Sequence, residues 1–267
     1  MKMMKKMVVP ALMAAGLALA GCASAPSCAP APNTLSEAEK AEGWKLLWDG
    51  RTSEGWVGVK GGCRAFPAKG WKMENGVLTV LPVSRITKDG KWEKLPPEQA
   101  LGGGGDIVTV KEYRDFMFKL DFRLTPCANS DIKYFFRPDC NKGTCEEYQI
   151  LDPGHPDANR GRDGNRRVAS LYDLIPAHAE KVVKPAGEWN TAMVVSRGAH
   201  VEHWLNGVKV LEYERGGEAF RRLVGASKYA TWGTDGRKWG ELESGRILLQ
   251  DHSDSTVSFR NIKIKEL

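Results

Sequence analysis

Short segments of alternating apolar and polar residues recur along most of this chain. In the clearest of them, Phe116–Leu124, every second side chain is apolar, and Lys119, Asp121 and Arg123 lie between them. Because successive side chains of a β-strand point to opposite faces, this segment predicts a strand with one face in a core. Further strands are predicted at residues 76–80, 132–137, 147–151, 191–196, 247–252 and 257–264.

A β-hairpin is predicted where residues 200–205 and 208–213 flank the Asn206-Gly207 dipeptide, since both turn residues tolerate positive φ. Helical periodicity hardly persists for three turns anywhere in the chain. This many strands without interleaved helices excludes a parallel α/β fold and predicts an all-β sandwich of two antiparallel sheets. Long loops in compact domains are usually functional, so those between the strands are expected to wall a groove. They span residues 82–105, 153–185 and 215–243.

The N-terminus has the pattern of a bacterial lipoprotein export signal. Lysines at positions 2, 5 and 6 precede an apolar run over residues 7–20, and the sequence Leu-Ala-Gly leads into Cys22. Because that run is short for a membrane span, Cys22 is predicted to be acylated and to become the first mature residue. The predicted organisation is a signal peptide over 1–21, a lipid-anchored tether rich in Ala, Pro and Ser over 22–42, and one β domain over 43–267. The mature protein is expected to be exported and held on the bacterial cell membrane, at the outer membrane or facing the periplasm, through its lipid alone.

The charge balance gives no indication of a nucleic-acid partner. The formal net charge is +6, but three of the 39 Lys and Arg residues lie in the signal, which leaves 36 against 33 Asp and Glu. The basic cluster over residues 160–167 contains no interleaved aromatic residues. We therefore interpret it as a solvated loop.

Six cysteines in an exported chain are typical of an oxidising compartment. Once lipidation takes the first, the next expectation is a disulfide between Cys140 and Cys145, which flank a turn-forming tetrapeptide. A second pairing would join Cys63 with Cys127 and leave Cys28 free, although sequence does not determine connectivity. Neither a Cys-x-x-Cys nor a paired-His spacing supports a zinc site.

The candidate chemistry begins on one polar strand face. Glu147 and Gln149 leave the same face of their predicted strand, whereas Tyr148 and Ile150 face the other way. Asp152 is out of phase with them. It joins Glu147 only where a β-bulge adds a residue to the strand, a device that is common beside active sites.

Two neighbouring predicted strands carry further polar residues at alternate positions. Lys133, Phe135 and Arg137 share one face of their strand, and Gln250 and His252 share one face of theirs. Each residue alone is more often a solvated surface group than a functional one, so the argument depends on the cluster. A charged face on a sheet whose other face is apolar is typical of a concave sugar-binding surface.

Ordered motifs extend through residues 43–267. They are Trp44-Lys45-Leu46-Leu47-Trp48-Asp49-Gly50, Thr109 with Tyr113-Arg114-Asp115-Phe116, Asn129-Ser130, Phe136-Arg137, Glu147-Tyr148-Gln149-Ile150-Leu151-Asp152, Glu188-Trp189-Asn190, His203-Trp204-Leu205-Asn206-Gly207, Leu249-Gln250-Asp251-His252 and Phe259-Arg260-Asn261-Ile262. Together they resemble the 3-keto-disaccharide hydrolase domain family, formerly a domain of unknown function. The resemblance implies a concanavalin A-like jelly-roll sandwich, a glycoside-processing activity and frequent export as a lipoprotein. Where the family usually has Asn-Ser-Gly, this chain has Asn129-Ser130-Asp131, and Asp131 adds a carboxylate near the expected groove.

Residues 147–152 also resemble the Glu-x-Asp-x-x-Glu motif of laminarinase-type glucanases, which share the sandwich fold. That resemblance implies Glu147 as nucleophile, Gln149 as the residue that orients it and Asp152 as general acid and base. Gln149 departs from the motif. Because a neutral amide cannot raise the pKa of the acid by like-charge repulsion, the double-displacement route loses one of its usual supports.

A 3-keto sugar, the substrate that the family resemblance implies, opens a second route. The ketone at C3 acidifies the C2 proton, so the glycosidic oxygen at C1 can leave by elimination. Such chemistry needs a base at C2, a cation or donor at the enolate oxygen and an acid at the leaving group. Glu147 or His252 is the candidate base, Arg137 or a bound divalent cation the stabiliser, and Asp152 the acid. No other cofactor is indicated.

Three functional classes stay open: a glycosidase-type enzyme, a non-catalytic sugar-binding module or lectin, and a structural or interaction domain of the cell surface. Convergence of Glu147 and Asp152 on one groove would favour the enzyme, since a binding module needs no paired acids. In either sugar-binding class the partner is a carbohydrate. The residues expected to contact it are Asn129, Asp131, Lys133, Arg137, Gln149, Trp232 and Gln250.

Overall fold

The structure is a computed structural model that describes residues 31–87, 89–138, 145–232 and 238–267. Its strands are β1 (Lys45–Leu46), β2 (Trp56–Gly58), β3 (Trp71–Glu74), β4 (Val77–Val80), β5 (Ser84–Ile86), β6 (Trp92–Lys94), β7 (Ile107–Thr109), β8 (Phe116–Leu124), β9 (Asn129–Phe136), β10 (Glu146–Leu151), β11 (Trp189–Arg197), β12 (His200–Leu205), β13 (Val208–Glu214), β14 (Arg246–Leu249) and β15 (Val257–Glu266). The described residues also form α-helices α1 (Glu37–Ala41) and α2 (Glu218–Gly225), and 3-10 turns over Pro156–Asn159 and Lys228–Thr231.

These strands form two sheets and one separate hairpin. The larger sheet has the order β13-β12-β11-β8-β15-β4-β3, with β1 paired to β15 beside this path. The smaller sheet has the order β10-β9-β14-β7-β2, and β5 pairs with β6 alone. Every strand pairing among the described residues is antiparallel. The all-β sandwich predicted from the alternation is therefore confirmed.

The main core lies between the sheets, and the alternation along each strand decides which side chains enter it. Phe118 and Phe122 of β8 are fully buried there. Ile132, Tyr148 and Ile150 enter the same core from the smaller sheet. Burying each such side chain contributes roughly 1.5–3 kcal/mol before the entropy cost is counted. The opposite face of the smaller sheet is left for the polar residues of β9 and β10.

The segment of residues 153–185 packs along the edge of β10. The Tyr172 amide donates to the Glu147 carbonyl, and the Ala169 amide donates to the Gln149 carbonyl. In return, the Gln149 amide donates to the Ser170 carbonyl. These bonds satisfy backbone groups that an edge strand would otherwise expose. They also hold the segment as a wall beside the polar face.

A bulge interrupts β9 after Lys133. Phe135 has a φ of +60°, and both Tyr134 and Phe135 are fully buried in the core. The register of β9 against β14 shifts at this point. The prediction that Lys133, Phe135 and Arg137 share one face is therefore wrong, because two successive residues of the strand enter the core.

Part of the predicted tether packs against the domain. The Asn33 amide donates to the Asn261 side chain at 2.6 Å, and the Asn261 amide donates to the Asn33 side chain at 2.8 Å. Ser36 and Glu39 form a capping box at the start of α1, and the Glu39 carboxylate lies 2.8 Å from the ammonium of Lys263. Packed structure therefore begins before residue 43, where the sequence placed the start of the domain.

No disulfide joins two of the described cysteines. Cys63 and Cys127 are both unpaired, so their predicted disulfide is not formed. Cys140 lies outside the described residues, so its predicted pairing with Cys145 stays a prediction. Cys22 and its acylation lie outside the described residues as well. No described helix is long and apolar enough to cross a membrane.

Candidate active site

A groove of about 430 Å³ lies on the face of the smaller sheet that points away from the core. Strands β9 and β10 supply its floor, and the hairpin β5–β6 and residues 153–185 contribute walls. Its lining residues are Trp92, Asn129, Asp131, Lys133, Glu147, Gln149, His155, Asp157, Arg160, Tyr172, Lys228, Trp232, Gln250 and His252. Apart from Arg137 and Asp152, every residue that the sequence singled out for catalysis or sugar binding lines this cavity.

Two carboxyls and one ammonium form a buried cluster on the floor. The register of β9 against β10 places Glu147 opposite Lys133 and Gln149 opposite Asp131, and Lys133 Nζ lies 3.3 Å from Glu147 Oε2. Burial and the adjacent Glu147 charge raise the pKa of Asp131 well above its usual range. Burial alone would also raise the pKa of Glu147, but the Lys133 ammonium and a hydrogen bond from Asp131 lower it. Asp131 therefore holds a proton while Glu147 is ionised.

This arrangement makes Glu147 a buried, ionised carboxylate. Its side chain is only 9% exposed, so few water molecules solvate its charge. Burial opposes the charge of Lys133, but the carboxylate of Glu147 raises the Lys133 pKa and keeps the ammonium protonated. In such a low-dielectric setting, the interaction of Glu147 with an approaching acidic proton is stronger than in bulk water.

Several acceptor atoms in the groove have no partner among the described residues. They are Asp131 Oδ1, Gln149 Oε1 and Gln250 Oε1. The three residues are neighbours, because Gln149 pairs with Asp131 across the strands and the Gln250 amide donates to the Asp131 carbonyl. An unpaired buried acceptor costs about 1–3 kcal/mol. A ligand rich in hydroxyl donors offsets that cost, as a sugar ring would.

Two histidines flank the buried Asp254 at one end of the groove. His252 Nδ1 lies 2.7 Å from Asp254 Oδ2, and His155 Nε2 lies 3.7 Å from the same oxygen. The shorter contact is an ion-pair distance without the alignment of a hydrogen bond. Burial opposes ionisation of Asp254, but the two imidazoles lower its pKa to about 2. Asp254 is thus an anion at neutral pH that orients His252 and leaves Nε2 as the ring nitrogen available to a ligand.

Trp92 of β6 packs against both of these histidines. Its ring centroid lies 6.5 Å from the ring of His155 and 6.5 Å from that of His252. His155 is 4% exposed, and its Nδ1 accepts the Asp157 amide at 3.0 Å. That bond assigns the ring proton of His155 to Nε2, on the side of the Asp254 carboxylate.

Lys228 brings a second ammonium to the groove. Its Nζ lies 4.1 Å from the ring centroid of Tyr172, 4.9 Å from that of Tyr229 and 5.7 Å from that of Trp232. The backbone amide of Lys228 donates to Asp173 Oδ2 at 3.2 Å, but among the described residues Nζ has no hydrogen-bond or ion-pair partner, so the ammonium is available to a carbonyl or anionic oxygen of a ligand. Burial lowers the pKa of Lys228, and the nearby charge of Glu147 opposes that shift.

Asp152 lies outside the groove, contrary to the prediction that a bulge brings it beside Glu147. β10 keeps one register against β9 along its whole length. Asp152 Oδ1 instead accepts the amides of Cys127 at 3.1 Å and Gly154 at 2.9 Å. Asp152 thus caps the turn that leaves β10, and the second carboxyl beside Glu147 is Asp131.

Arg137 also lies outside the groove lining. It follows the bulge of β9, and its guanidinium lies 3.5 Å from the carboxylate of Glu112. Because the bulge changes the phase of the strand, the alternation that predicted Arg137 beside Lys133 does not extend across it. Lys228, not Arg137, is the cation that the described residues place in the groove beside Lys133 and Arg160.

Sequence reasoning did not single out Trp92, Lys228 or Asp254. None of the three has a local signal, because each reaches the site from a different connecting segment. His155 and Tyr172 lie in the segment of residues 153–185, which was expected to wall the groove, but no motif marked them.

A convergent set of metal-ligand types lies elsewhere on the described part of the chain. His200, Glu202 and Glu212 place ligand atoms within 4.8 Å of one another. They belong to β12 and β13 of the larger sheet, and the Lys209 ammonium already lies 2.6 Å from Glu212. The described residues of the groove supply no such set of three for the divalent cation that the sequence left open.

Comparisons with known proteins agree with this geometry. Residues 43–265 match the sequence model of the 3-keto-alpha-glucoside-1,2-lyase-like domain. The chain is 33% identical over 251 residues to a 3-keto-disaccharide hydrolase of Bacteroides thetaiotaomicron, covering 85% of this chain and 79% of the relative.

Two solved structures of Parabacteroides distasonis proteins, both assigned as glycosyl hydrolases, are similar as well. One is 32% identical to this chain, with a TM-score of 0.70, and the match covers 89% of this chain and 100% of the other protein's chain. The other is 26% identical, with a TM-score of 0.58, and the match covers 84% of this chain and 99% of the other protein's chain. Both agree with the two-sheet sandwich described above.

Proposed function

This chain belongs to the 3-keto-alpha-glucoside-1,2-lyase-like domain family, and from that premise we propose that it cleaves 3-keto glycosides by elimination followed by addition of water. It is a glycosidase-type hydrolase in its overall reaction. The family description names a 1,2-lyase, whereas the Bacteroides relative is a hydrolase. Elimination across C1 and C2 followed by addition of water has the stoichiometry of hydrolysis, so one mechanism accounts for both descriptions.

The observation that carries the proposal is the buried pair of Glu147 and Asp131. The Lys133 ammonium lies 3.3 Å from Glu147 Oε2. Burial raises the pKa of Asp131, and Lys133 and Asp131 lower the pKa of Glu147, so the proton of the pair belongs on Asp131. Double displacement by a retaining glycosidase instead needs two carboxyls about 5–5.5 Å apart on either side of the glycosidic bond. A carboxylate paired with a protonated carboxyl has the arrangement of a base that removes a proton from C2 and later supplies a proton to it.

Each step of the elimination is assigned to a different residue of the groove. The Glu147 carboxylate removes the C2 proton, and the electron pair moves into the C3 carbonyl to give an enolate whose oxygen the Lys228 ammonium stabilises. The electron pair of the enolate then forms the C1–C2 double bond as the C1–O bond breaks. His252, which Asp254 orients, protonates the leaving oxygen. Water adds to C1 and gives its proton to His252. C2 takes back a proton from Glu147, which restores both residues.

The expected cellular place of the reaction is outside the cytoplasm. The support for this proposal is the sequence of residues 1–22, where a short apolar run ends in Leu-Ala-Gly-Cys. We propose that acylated Cys22 holds the enzyme on the bacterial membrane, so that its groove meets glycosides in the periplasm or at the cell surface.

Turnover of methyl 3-keto-α-glucoside in D₂O tests the mechanism. Elimination followed by addition of water leaves deuterium at C2 of the released keto sugar, because the proton that Glu147 removes exchanges with solvent. Direct displacement at C1 leaves the C2 hydrogen in place. Incubating the product with the Glu147→Gln protein measures the spontaneous exchange of this acidic position. Turnover without enzyme-dependent deuterium at C2 contradicts elimination, and absence of turnover on any 3-keto glycoside contradicts the proposed function.

A further inference from the structure

A second cavity adjoins the groove and differs from it in chemistry. It has a volume of about 610 Å³ and is walled mainly by apolar side chains. Its lining residues are Val83, Ser84, Trp92, Glu93, Lys94, Leu95, Pro97 and Ala100. Trp92 lines both cavities and is 54% exposed, so one indole forms the boundary between them.

The hairpin that carries Trp92 is attached to the catalytic end of the groove. The Val83 amide donates to the Ser253 carbonyl at 2.8 Å, next to His252, and the Leu95 amide donates to the Val83 carbonyl at 3.0 Å. These bonds hold the apolar wall in a fixed position relative to His252. The cavity is therefore placed by backbone contacts and not by the Trp92 ring alone.

The order of groups along the groove gives a substrate its direction. On the floor, Glu147 and Lys133 come first, followed by Asp131 and Gln149 in the next paired position. Asn129 closes that row at the start of β9, where its side chain accepts Gln149 Nε2 at 2.8 Å. The unpaired acceptors along this row suit the hydroxyls of a sugar ring. The Asn129 amide donates to Ser255 Oγ at 2.9 Å, which places the segment of His252 and Asp254 at this end of the row, and Trp92 packs against His252. In the proposed mechanism the leaving oxygen receives its proton here.

We propose that the apolar cavity is the subsite for the leaving group, and that it takes an aromatic or otherwise apolar alcohol rather than a second sugar. A second sugar would bring hydroxyl groups that need polar partners. Val83, Leu95, Pro97 and Ala100 offer none from their side chains, and Glu93, one of the polar lining residues, is already paired with Arg85 at 2.9 Å. A planar aglycone can stack on the exposed part of Trp92. This inference rests on the proposed function, because it takes the protonation of the leaving oxygen to occur at His252.

Binding alone tests the subsite first, with ligands that are not turned over. Calorimetry on the purified mature chain compares benzyl α-glucoside with methyl α-glucoside, which differ only in the aglycone. The benzyl compound is expected to bind about tenfold more tightly, because the phenyl ring leaves water for an apolar wall. Leu95→Arg, which puts a charge into the half-buried wall, is expected to remove that advantage. Leu101→Arg changes an exposed residue of the same segment that lines neither cavity, and it should preserve the advantage.

Turnover then separates this inference from the proposed function. Benzyl and methyl 3-keto-α-glucosides release alcohols of similar acidity, so the ratio of their kcat/KM values reports aglycone binding rather than leaving-group chemistry. The ratio should favour benzyl and fall about tenfold in Leu95→Arg. Equal binding and equal turnover of the two compounds by the wild type overturn the subsite and leave the elimination intact. Absence of turnover on both overturns the elimination, and the binding comparison alone then decides the subsite.

Discussion

Neighbouring carboxyls of the groove differ in charge because they differ in partners. Asp131 and Glu147 are both buried, and burial raises the pKa of each. Only Glu147 has the Lys133 ammonium at 3.3 Å, so the negative charge of this pair of carboxyls resides on Glu147. Removing Lys133 would therefore change the protonation of both acids, because an uncompensated charge is costly in such a setting.

Glu147→Gln is expected to fold normally and to lose at least about a hundredfold in turnover, the low end for removal of a positioned acid or base. An amide is isosteric with the carboxyl but does not accept the C2 proton. Asp152→Asn is the matched control, because its Oδ1 atom still accepts the amides of Cys127 and Gly154. For both variants, the measurements are the activity on a 3-keto glycoside and a thermal melt. A fully active and folded Glu147→Gln protein would remove the assignment of the base.

His203 is expected to make stability depend on pH. It is fully buried, with Nε2 at 2.8 Å from the Tyr134 hydroxyl. Burial lowers the pKa of His203 from 6.5 to about 4. As pH falls, His203 is therefore protonated in the unfolded chain before it is protonated in the folded protein. Its contribution to the free energy of unfolding is complete above about pH 6.5 and is lost as pH falls toward 4. A shift of this size amounts to about 3 kcal/mol.

The measurement for His203 is a difference between two proteins. Burial raises the pKa of Glu146 to about 7, so this group contributes stability with the opposite pH dependence in an overlapping range. Denaturant unfolding of wild type and His203→Gln across pH 4–7 cancels the Glu146 contribution, which both proteins share. The difference in unfolding free energy should shrink as pH falls, and a constant difference would contradict the assignment.

Among the strands, β9 decides which residues reach the groove. Up to Lys133 alternate side chains, those of Asn129, Asp131 and Lys133, line the groove, and Ile132 between them faces the core, as the alternation predicts. At Phe135 the backbone adopts positive φ, and the strand changes phase. Gly245 lies against this bulge, where an added Cβ would run into the Phe135 backbone. The bulge therefore depends on a glycine that is distant in sequence.

Gly245→Ala is expected to destabilise the protein by at least about 1–3 kcal/mol, the usual range for an overpacked core site. The new methyl group meets backbone atoms, which cannot move aside as a flexible side chain can. Gly225→Ala at the end of α2 serves as control, because a Cβ there meets nothing within 4 Å. Thermal melts compare the two variants. Equal melting temperatures for wild type and Gly245→Ala would show that the bulge adapts without cost.

In the molecule as a whole, the N-terminal segment and the groove lie on different sheets. The N-terminal segment packs on strands of the larger sheet, where Glu39 contacts Lys119 at 3.1 Å and Lys263 at 2.8 Å. The groove lies on the smaller sheet, on the face that points away from the core. The described N-terminal segment therefore joins the domain at the larger sheet and not at the groove.

Cys22 is predicted to carry the lipid. Labelling cells with a fatty-acid analogue should mark the wild-type protein, and Cys22→Ser should abolish the label because the thiol is the acceptor. The variant is then expected to stay unprocessed or to be released from the membrane. Cys28→Ser, a cysteine a few residues downstream in the tether, is the control that should keep the label. Absence of label on the wild type would contradict the anchor.

The sequence by itself determined the class of fold and most of the groove floor. Alternation is a local property of an extended chain, so it assigns Glu147 and Gln149 to one face of β10 without knowledge of any partner strand. The same reasoning assigned Lys133 to the groove face, because this residue precedes the bulge, whereas the expectation that Asp131 lies near the groove came from the family resemblance. The family motifs added the expectation of a glycoside substrate, and the family match confirms the domain family to which they belong.

Only the tertiary structure decided which groups act together. Asp152 is nearby in sequence but caps a turn, whereas Asp131 meets Glu147 through the cross-strand register. Trp92, Lys228 and Asp254 come from separate connecting segments whose positions are set by packing against the sandwich. Local periodicity contains no information on such contacts, since they depend on sheet order, on a bulge and on where each loop returns to the sheet.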